Sequence, residues 1–159
     1  MLSFYIHIPY CVKRCGYCDF NTYAPDELAK DSGFIDSLIA EISFAARTHT
    51  SKVPTIFFGG GTPSLMKAEE LGRVINLIKQ RWELTNDVEI TMEANPDSLT
   101  NLASYREIGI NRLSIGMQSA DSNVLKVLDR THNPDNVEKV ISEADRKSTR
   151  LNSSHTDIS

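Results

Sequence analysis

The sequence predicts an α/β fold in which parallel strands alternate with helices. Short apolar or alternating runs typical of strands recur along the chain, and amphipathic runs of helical period separate them. Four polar or glycine-rich segments each follow the predicted end of a strand, where parallel sheets build their sites. Alternation on this scale produces a (β/α) barrel or a doubly wound sheet, and the pattern alone does not separate the two.

The first half of the chain contains two predicted strands, each followed by a helix. Residues 2–8 alternate apolar and polar side chains and predict a strand that ends at Pro9. Apolar residues at helical spacing then predict an amphipathic helix over about 31–48. The apolar run 55–58 predicts a buried strand that stops at three consecutive glycines, and residues 67–82 predict the second helix.

The second half continues the alternation as far as residue 145. The predicted elements are a strand over 88–92, a short helix over 99–108, a strand over 112–116, a short helical stretch around 125–128 and a last helix opened by Pro134. Residues 1–145 are therefore expected to be the folded part. With four strands, the fourth would be an open edge, which favours aggregation.

Residues 146–159 have no apolar period and are rich in Ser and Thr, so we expect an unstructured tail. The string Lys147–His155 resembles translated adapter sequence that recurs at the ends of assembled gene fragments. We interpret the tail as a sequence artefact, and His155 is accordingly not a predicted metal ligand.

Composition indicates an ordinary globular protein of one domain. The 159 residues are 40% hydrophobic and 24% charged, and the net charge of -4 gives no general reason to expect a nucleic-acid partner. No run approaches the roughly 18 apolar residues of a membrane span. Free thiols persist in a reducing compartment, so we expect a cytoplasmic protein.

The three cysteines of the chain, Cys11, Cys15 and Cys18, lie within eight residues. Three thiolates hold an iron–sulfur cluster while one iron keeps an open position, as catalytic metal sites generally do. The spacing leaves two alternatives open. Structural zinc would use the three cysteines with His7, and Cys15 with Cys18 would also form a C-x-x-C redox pair. The odd count disfavours a disulfide framework.

Five strings resemble the radical S-adenosylmethionine (SAM) superfamily, specifically the N-terminal part of a HemW-type haem chaperone, a relative of the oxygen-independent coproporphyrinogen III oxidases. The strings are Tyr5–Cys11, Cys15–Asn21, Phe58–Ser64, Glu93–Pro96 and Arg112–Ser119. The resemblance implies an incomplete (β/α) partial TIM barrel with about four of the family's six strand–helix units.

The resemblance also implies the cofactors and the residues that hold them. Cys11, Cys15 and Cys18 would bind a [4Fe–4S] cluster, whose open iron takes SAM and supplies the electron that releases a 5′-deoxyadenosyl radical. The residues expected to contact SAM are Tyr5, Gly59, Gly60, Gly61, Thr62, Glu93, Gln118 and Arg130. No residue is assigned a catalytic role.

Several of these residues have plainer explanations. The glycines would simply form a turn, with Thr62 or Ser64 capping the next helix. Glu93 would be a solvated surface carboxylate. Arg130 would be a charge at a helix end. For His7 we expect a hydrogen-bonding role in preference to a place in the site.

Phe20 distinguishes between the two functions that the resemblance allows, haem chaperone and coproporphyrinogen oxidase. The coproporphyrinogen oxidases carry a further cysteine two residues after the third, where this chain has Phe20. The resemblance therefore implies a longer protein that binds haem and passes it to an acceptor protein, and whether it is also an enzyme stays open. The alternatives are an oxidase-like enzyme performing radical decarboxylation in porphyrin biosynthesis, and a zinc-stabilised interaction domain.

Overall fold

The predicted alternation of strands and helices is confirmed. The computed structural model describes residues 1–23, 33–99, 101–130, 134–146 and 150–155. The strands are β1 Ser3–Ile8, β2 Val53–Gly60, β3 Leu84–Ala94, β4 Arg112–Gln118 and β5 Arg150–His155. The helices are α1 Phe34–Ala45, α2 Ala68–Arg81, α3 Leu102–Glu107, α4 Ser122–Val127 and α5 Pro134–Arg146.

The strands form one parallel sheet in the order β1-β2-β3-β4-β5. Strand order follows chain order across this sheet, as it does around a (β/α) barrel. A doubly wound sheet instead reverses its order at a switch point. The topology therefore resolves the choice that the sequence pattern left open, and the fold is a partial barrel.

The two faces of the sheet differ in polarity because side chains alternate along each strand. Ile6 pairs with Phe58, which pairs with Met92, which pairs with Leu113, and all four are buried against the helices. The helices add buried apolar residues to this layer, among them Ile35, Ile42, Leu71, Val74, Ile75 and Ile78. The opposite face, towards the barrel interior, carries Tyr5, His7, Thr91, Glu93 and Ser114.

Some predicted boundaries are wrong. β2 continues through Gly59 and Gly60, because these residues pair with His7 and Ile8 of β1. The first helix is shorter than predicted. Positions 31 and 32 lie outside the described residues, and at the other end the Thr48 hydroxyl donates to the carbonyl of Ala45 at 3.3 Å. Threonine side chains that bond the backbone in this way compete with helix continuation.

The prediction of an unstructured tail is wrong for Arg150–His155, which form β5. This strand pairs in parallel with β4, so the predicted open edge of β4 is covered. Backbone N–H and C=O groups make the ladder, so a segment without apolar period can still pair with a free edge. The boundary at residue 145 and the origin of the tail stay predictions.

Within the described residues, no helix has the length and hydropathy needed to cross a membrane.

Candidate functional site

A cavity of about 340 Å³ lies where the strands end. The cysteine loop, the ends of β2, β3 and β4 and the segment after α4 all contribute to its walls. The predicted site residues in its lining are Cys11, Cys15, Cys18, Gly60, Gly61, Thr62, Glu93, Gln118 and Arg130. The segments that the sequence placed at the strand ends therefore do meet.

The cysteine loop is closed by backbone hydrogen bonds. The N–H of Cys11 donates to the carbonyl of Tyr23 at 3.1 Å, and the N–H of Tyr23 donates to the carbonyl of Pro9 at 2.7 Å. Inside the loop, the N–H of Cys18 donates to the carbonyl of Cys15 at 3.0 Å. All three cysteines are free thiols, partly buried, and they line the same cavity.

Packing requires glycine at positions 60 and 61. Gly60 has a φ of 110°, and a Cβ there would lie 2.5 Å from the His7 ring. A Cβ on Gly61 would lie 2.5 Å from the carbonyl oxygen of Tyr10. The N–H of Gly61 donates to the carbonyl of Ile8 at 2.7 Å. The glycines thus allow the end of β2 to lie directly against the start of the cysteine loop.

The Thr62 side chain does not cap the short 3-10 helix Pro63–Leu65 that follows it, so the plainer explanation of its hydroxyl is wrong. Its side chain makes no capping hydrogen bond, and its hydroxyl instead lies 3.7 Å from Cys11 Sγ as a donor. The Ser64 hydroxyl contacts the Ser98 hydroxyl and accepts from the N–H of Asn95 at 3.2 Å. These bonds tie the end of β2 to the cysteine loop and to the end of β3.

Glu93 is half-buried in the cavity wall, so it is not the solvated surface carboxylate of the plainer explanation. Its Oε2 accepts from the N–H of Gly60 at 3.0 Å. Burial raises the pKa of Glu93, against the opposing effects of the Gly60 hydrogen bond and the charge of His7. The side chain is therefore an oriented acceptor in a partly desolvated environment.

Arg130 is anchored inside the site, which excludes the explanation as a solvated helix-end charge. Its Nη2 donates to the carbonyl of Gly116 at 2.8 Å, and its Nη1 lies 3.7 Å from Cys15 Sγ. Its Nε is buried and has no hydrogen-bond partner among the described residues. Asp129 before it and Gln118 at the end of β4 have φ values of 59° and 63°. Such left-handed non-glycine residues cluster at functional sites.

Tyr5 and His7 lie on the inner face of β1 and, like Gly59, are not among the residues that line the cavity. The His7 Nε2 donates to the carbonyl of Asn21 at 3.2 Å, and its Nδ1 forms a hydrogen bond with the Tyr5 hydroxyl at 3.1 Å. Both ring nitrogens are thus engaged, which agrees with the hydrogen-bonding role expected for His7. Tyr5 is 60% exposed, and its ring stacks on Phe57. A Cβ on Gly59 would lie 3.0 Å from the Tyr5 ring.

Sequence reasoning missed several cavity residues. Lys13 and Asp129, which both line the cavity, form an ion pair at 2.5 Å. Tyr17 lies between two cysteines, and burial is the main cause that raises its pKa. Asn95 and Ser114 lie within the strings that resemble the radical SAM superfamily, yet nothing in their spacing shows that they face the cavity. Asp129 carries no sequence signal for its left-handed backbone.

The three thiols are candidate ligands for a metal group, since thiolates are ligands both of iron–sulfur clusters and of zinc. In the described part of the chain, no three His, Cys, Asp or Glu side chains are grouped so as to hold one metal ion. In an iron–sulfur cluster each thiolate binds a different iron, so its ligands spread around the cluster. Three free thiols line one cavity, and the Nε of Arg130 has no partner among the described residues; these features suit a cluster with a polar cofactor beside it.

Comparisons with known proteins give the family. The radical SAM superfamily matches residues 5–156. The chain is 38% identical over 154 residues to the heme chaperone HemW of Buchnera aphidicola subsp. Acyrthosiphon pisum (strain APS), covering 95% of this chain and 41% of that protein. It is 40% identical over 147 residues to the Bos taurus protein "Radical S-adenosyl methionine domain-containing protein 1, mitochondrial", covering 91% of this chain and 33% of that protein.

Among solved structures, coproporphyrinogen III oxidase (HemN) from Escherichia coli, described as a radical SAM enzyme, matches with a TM-score of 0.86 and 26% identity. That match covers 96% of this chain and 36% of the other. The chain therefore spans about two fifths or less of the length of these relatives. The match runs from β1 to β5, and the motifs that it contains meet at one cavity. The chain belongs to the radical SAM superfamily.

Proposed function

We propose that Cys11, Cys15 and Cys18 hold a [4Fe–4S] cluster and that SAM binds in the adjoining cavity. One observation carries the proposal: three free thiols line a single cavity together with six of the eight residues expected to contact SAM, namely Gly60, Gly61, Thr62, Glu93, Gln118 and Arg130. Three ligands leave one iron open for the amino and carboxylate groups of SAM. When bound, the cluster supplies the electron for reductive cleavage of the SAM sulfonium.

The cavity offers acceptors for the ammonium group of SAM and a donor for its carboxylate group. The N–H groups of Gly60, Gly61 and Thr62 already donate to acceptors within the protein. This segment would therefore meet the SAM ammonium through carbonyl oxygens, with the Glu93 carboxylate nearby. The Nε of Arg130, which has no hydrogen-bond partner in the part of the chain that the structure describes, is a charged donor that suits a carboxylate.

For the longer protein we propose a haem chaperone. The chain is 38% identical to a relative named heme chaperone HemW but 26% identical to the oxidase HemN. Phe20, in the place of the oxidases' further cysteine, lines the cavity. Haem and a haem-acceptor protein are then the partners. A coproporphyrinogen oxidase-like enzyme is the second candidate, favoured by the TM-score of 0.86 to HemN.

We propose a cytoplasmic location, because three free thiols need a reducing compartment. The name of the bovine relative places that protein in mitochondria, which makes the mitochondrion the second candidate.

Anaerobic reconstitution tests the cofactor proposal. The chain would be treated with iron and sulfide, reduced, and studied by electron paramagnetic resonance with and without SAM. We expect a [4Fe–4S]⁺ signal that changes shape when SAM is added. Cys15→Ala should lose the signal. His7→Gln is the matched control, because the zinc alternative needs His7 as a ligand and the cluster does not.

Two results would contradict these proposals. Stoichiometric zinc in place of a cluster, lost in His7→Gln, would restore the zinc-stabilised interaction domain. The haem proposal is tested on the longer protein by transfer of haem to an apo-haem protein. Conversion of coproporphyrinogen III to protoporphyrinogen IX by that protein would instead establish the oxidase alternative.

A further inference from the structure

Two side chains from outside the cysteine loop donate to cysteine sulfurs. The Thr62 hydroxyl lies 3.7 Å from Cys11 Sγ, and Arg130 Nη1 lies 3.7 Å from Cys15 Sγ. We propose that these two contacts raise the reduction potential of the cluster, so that Thr62 and Arg130 are positioning residues that act through its ligands. The inference rests on the proposed function, since it requires that the thiols hold a cluster.

Each donor residue makes a further hydrogen bond within the protein, besides its contact with the cysteine sulfur. Thr62 is 9% exposed, and its N–H donates to the carbonyl of Tyr10 at 2.7 Å, one residue before Cys11. Arg130 is held through its Nη2 by the carbonyl of Gly116 at 2.8 Å. These anchors are independent of any bound molecule, so the donors are already in place before a cluster or SAM arrives.

A second tie links Arg130 to the cysteine loop. Lys13, inside the loop, pairs with Asp129 at 2.5 Å. Asp129 has a left-handed φ of 59° and immediately precedes Arg130. This exposed pair adds little stability, yet it joins the two segments whose approach sets the distance from Arg130 to Cys15.

The direction of the effect follows from charge. One-electron reduction adds a negative charge to the cluster and its thiolates. Hydrogen bonds to the sulfurs, the net charge nearby and exposure to solvent all set the potentials of such clusters. A donor and a guanidinium cation stabilise the more negative reduced state more than the oxidised state, and partial burial strengthens the interaction. Removing either donor should therefore lower the potential.

The test is a redox titration of the reconstituted chain, followed by electron paramagnetic resonance in the absence of SAM. Thr62→Val and Arg130→Met should lower the midpoint potential, Arg130→Lys should lower it less, and Thr62→Ser should match the wild type. At the wild-type midpoint, the ratio of reduced to oxidised cluster should fall on the order of tenfold, which is about 59 mV for one electron. Arg106→Met, at an exposed site on α3, is the control for the loss of one positive charge.

The outcomes separate this inference from the cofactor proposal. A wild-type chain that takes up no cluster overturns the proposed function. A cluster whose potential is the same in Thr62→Val, Arg130→Met and the wild type overturns this inference alone, and so does an equal fall in Arg106→Met. A role of Arg130 confined to SAM would leave the potential unchanged without SAM. If Thr62→Val and Arg130→Met take up no cluster, Arg130→Lys still tests Arg130. A midpoint potential in that variant equal to that of the wild type overturns the role proposed for Arg130.

Discussion

At the residue scale, packing requires glycine at the last position of β2 and at the position that follows it. Gly60 and Gly61 face the His7 ring and the carbonyl of Tyr10 with no room for a Cβ. This packing brings Thr62 to Cys11. The glycine stretch is therefore explained by the approach of two strand ends, and any contact with a cofactor is an additional use of the same backbone.

Gly60→Ala should destabilise the chain by about 1–3 kcal/mol, because alanine disfavours a φ of 110° and its Cβ would meet the His7 ring. The free energy of unfolding in urea measures the loss. Gly16→Ala is the matched control, since a Cβ there meets nothing within 4 Å. Equal stability of the two variants would contradict the packing explanation.

Glu93 should make stability depend on pH. Burial raises its pKa above the ordinary 4.5, so the folded state favours the protonated carboxyl. Its contribution is full at low pH and is lost as pH rises from about 4.5 through the raised pKa. The wild type should therefore lose stability relative to Glu93→Gln over that window, as measured by urea unfolding from about pH 4 to about pH 8.

Asp87→Asn, at an exposed carboxylate on β3, is the control for that titration. A wild type that gains stability over Glu93→Gln with rising pH would show that hydrogen bonding to the charged form outweighs burial.

At the scale of elements, Asn111 joins β3 to β4 before their ladder begins. Its Oδ1 accepts from the N–H of Ile90, and its Nδ2 donates to the carbonyl of Val88, both at 2.8 Å. The ladder between the strands starts one residue later, at Arg112 with Thr91. One side chain thus satisfies backbone groups of β3 that β4 does not reach.

Asn111→Ala should cost about 1–3 kcal/mol, because it leaves two partly buried backbone groups without these partners. Chemical denaturation measures the change. Asn86→Ala, at an exposed position of β3, should change stability by less than about 0.5 kcal/mol. Similar losses in both variants would mean that the bridge adds nothing.

At the scale of the whole molecule, β5 covers an edge that four strands would leave open. The pairing partners Ile115 and Ser153 lie in the middle of this contact. A barrel removes edges by closure, and a part of a barrel must protect them in another way. The pairing of β5 therefore depends on the free edge of β4 as well as on the sequence of β5.

Ser153→Pro should speed hydrogen exchange of β4 amides, because proline cannot donate to the ladder and disrupts pairing at Ile115. Mass spectrometry of peptides from β4 measures the rates, with β1, at the other edge of the sheet, as internal control. Unchanged rates in β4 would support the unstructured tail that the sequence predicts.

The sequence by itself determined the order of the elements, the apolar face of each helix and the local motifs. These follow from periodicity and short-range spacing, which the chain carries without reference to distant contacts. The three cysteines predict an iron–sulfur site for the same reason, because they lie within one loop.

Only the tertiary structure decided the sequential strand order, the pairing of β5 with β4, and the contacts of Thr62 with Cys11 and of Arg130 with Cys15. Arg130 and Cys15 are 115 positions apart, and the ladder of β5 uses backbone groups that every sequence possesses. Local patterns do not encode such pairings, because they depend on which strand edges and loop ends the folded sheet brings together.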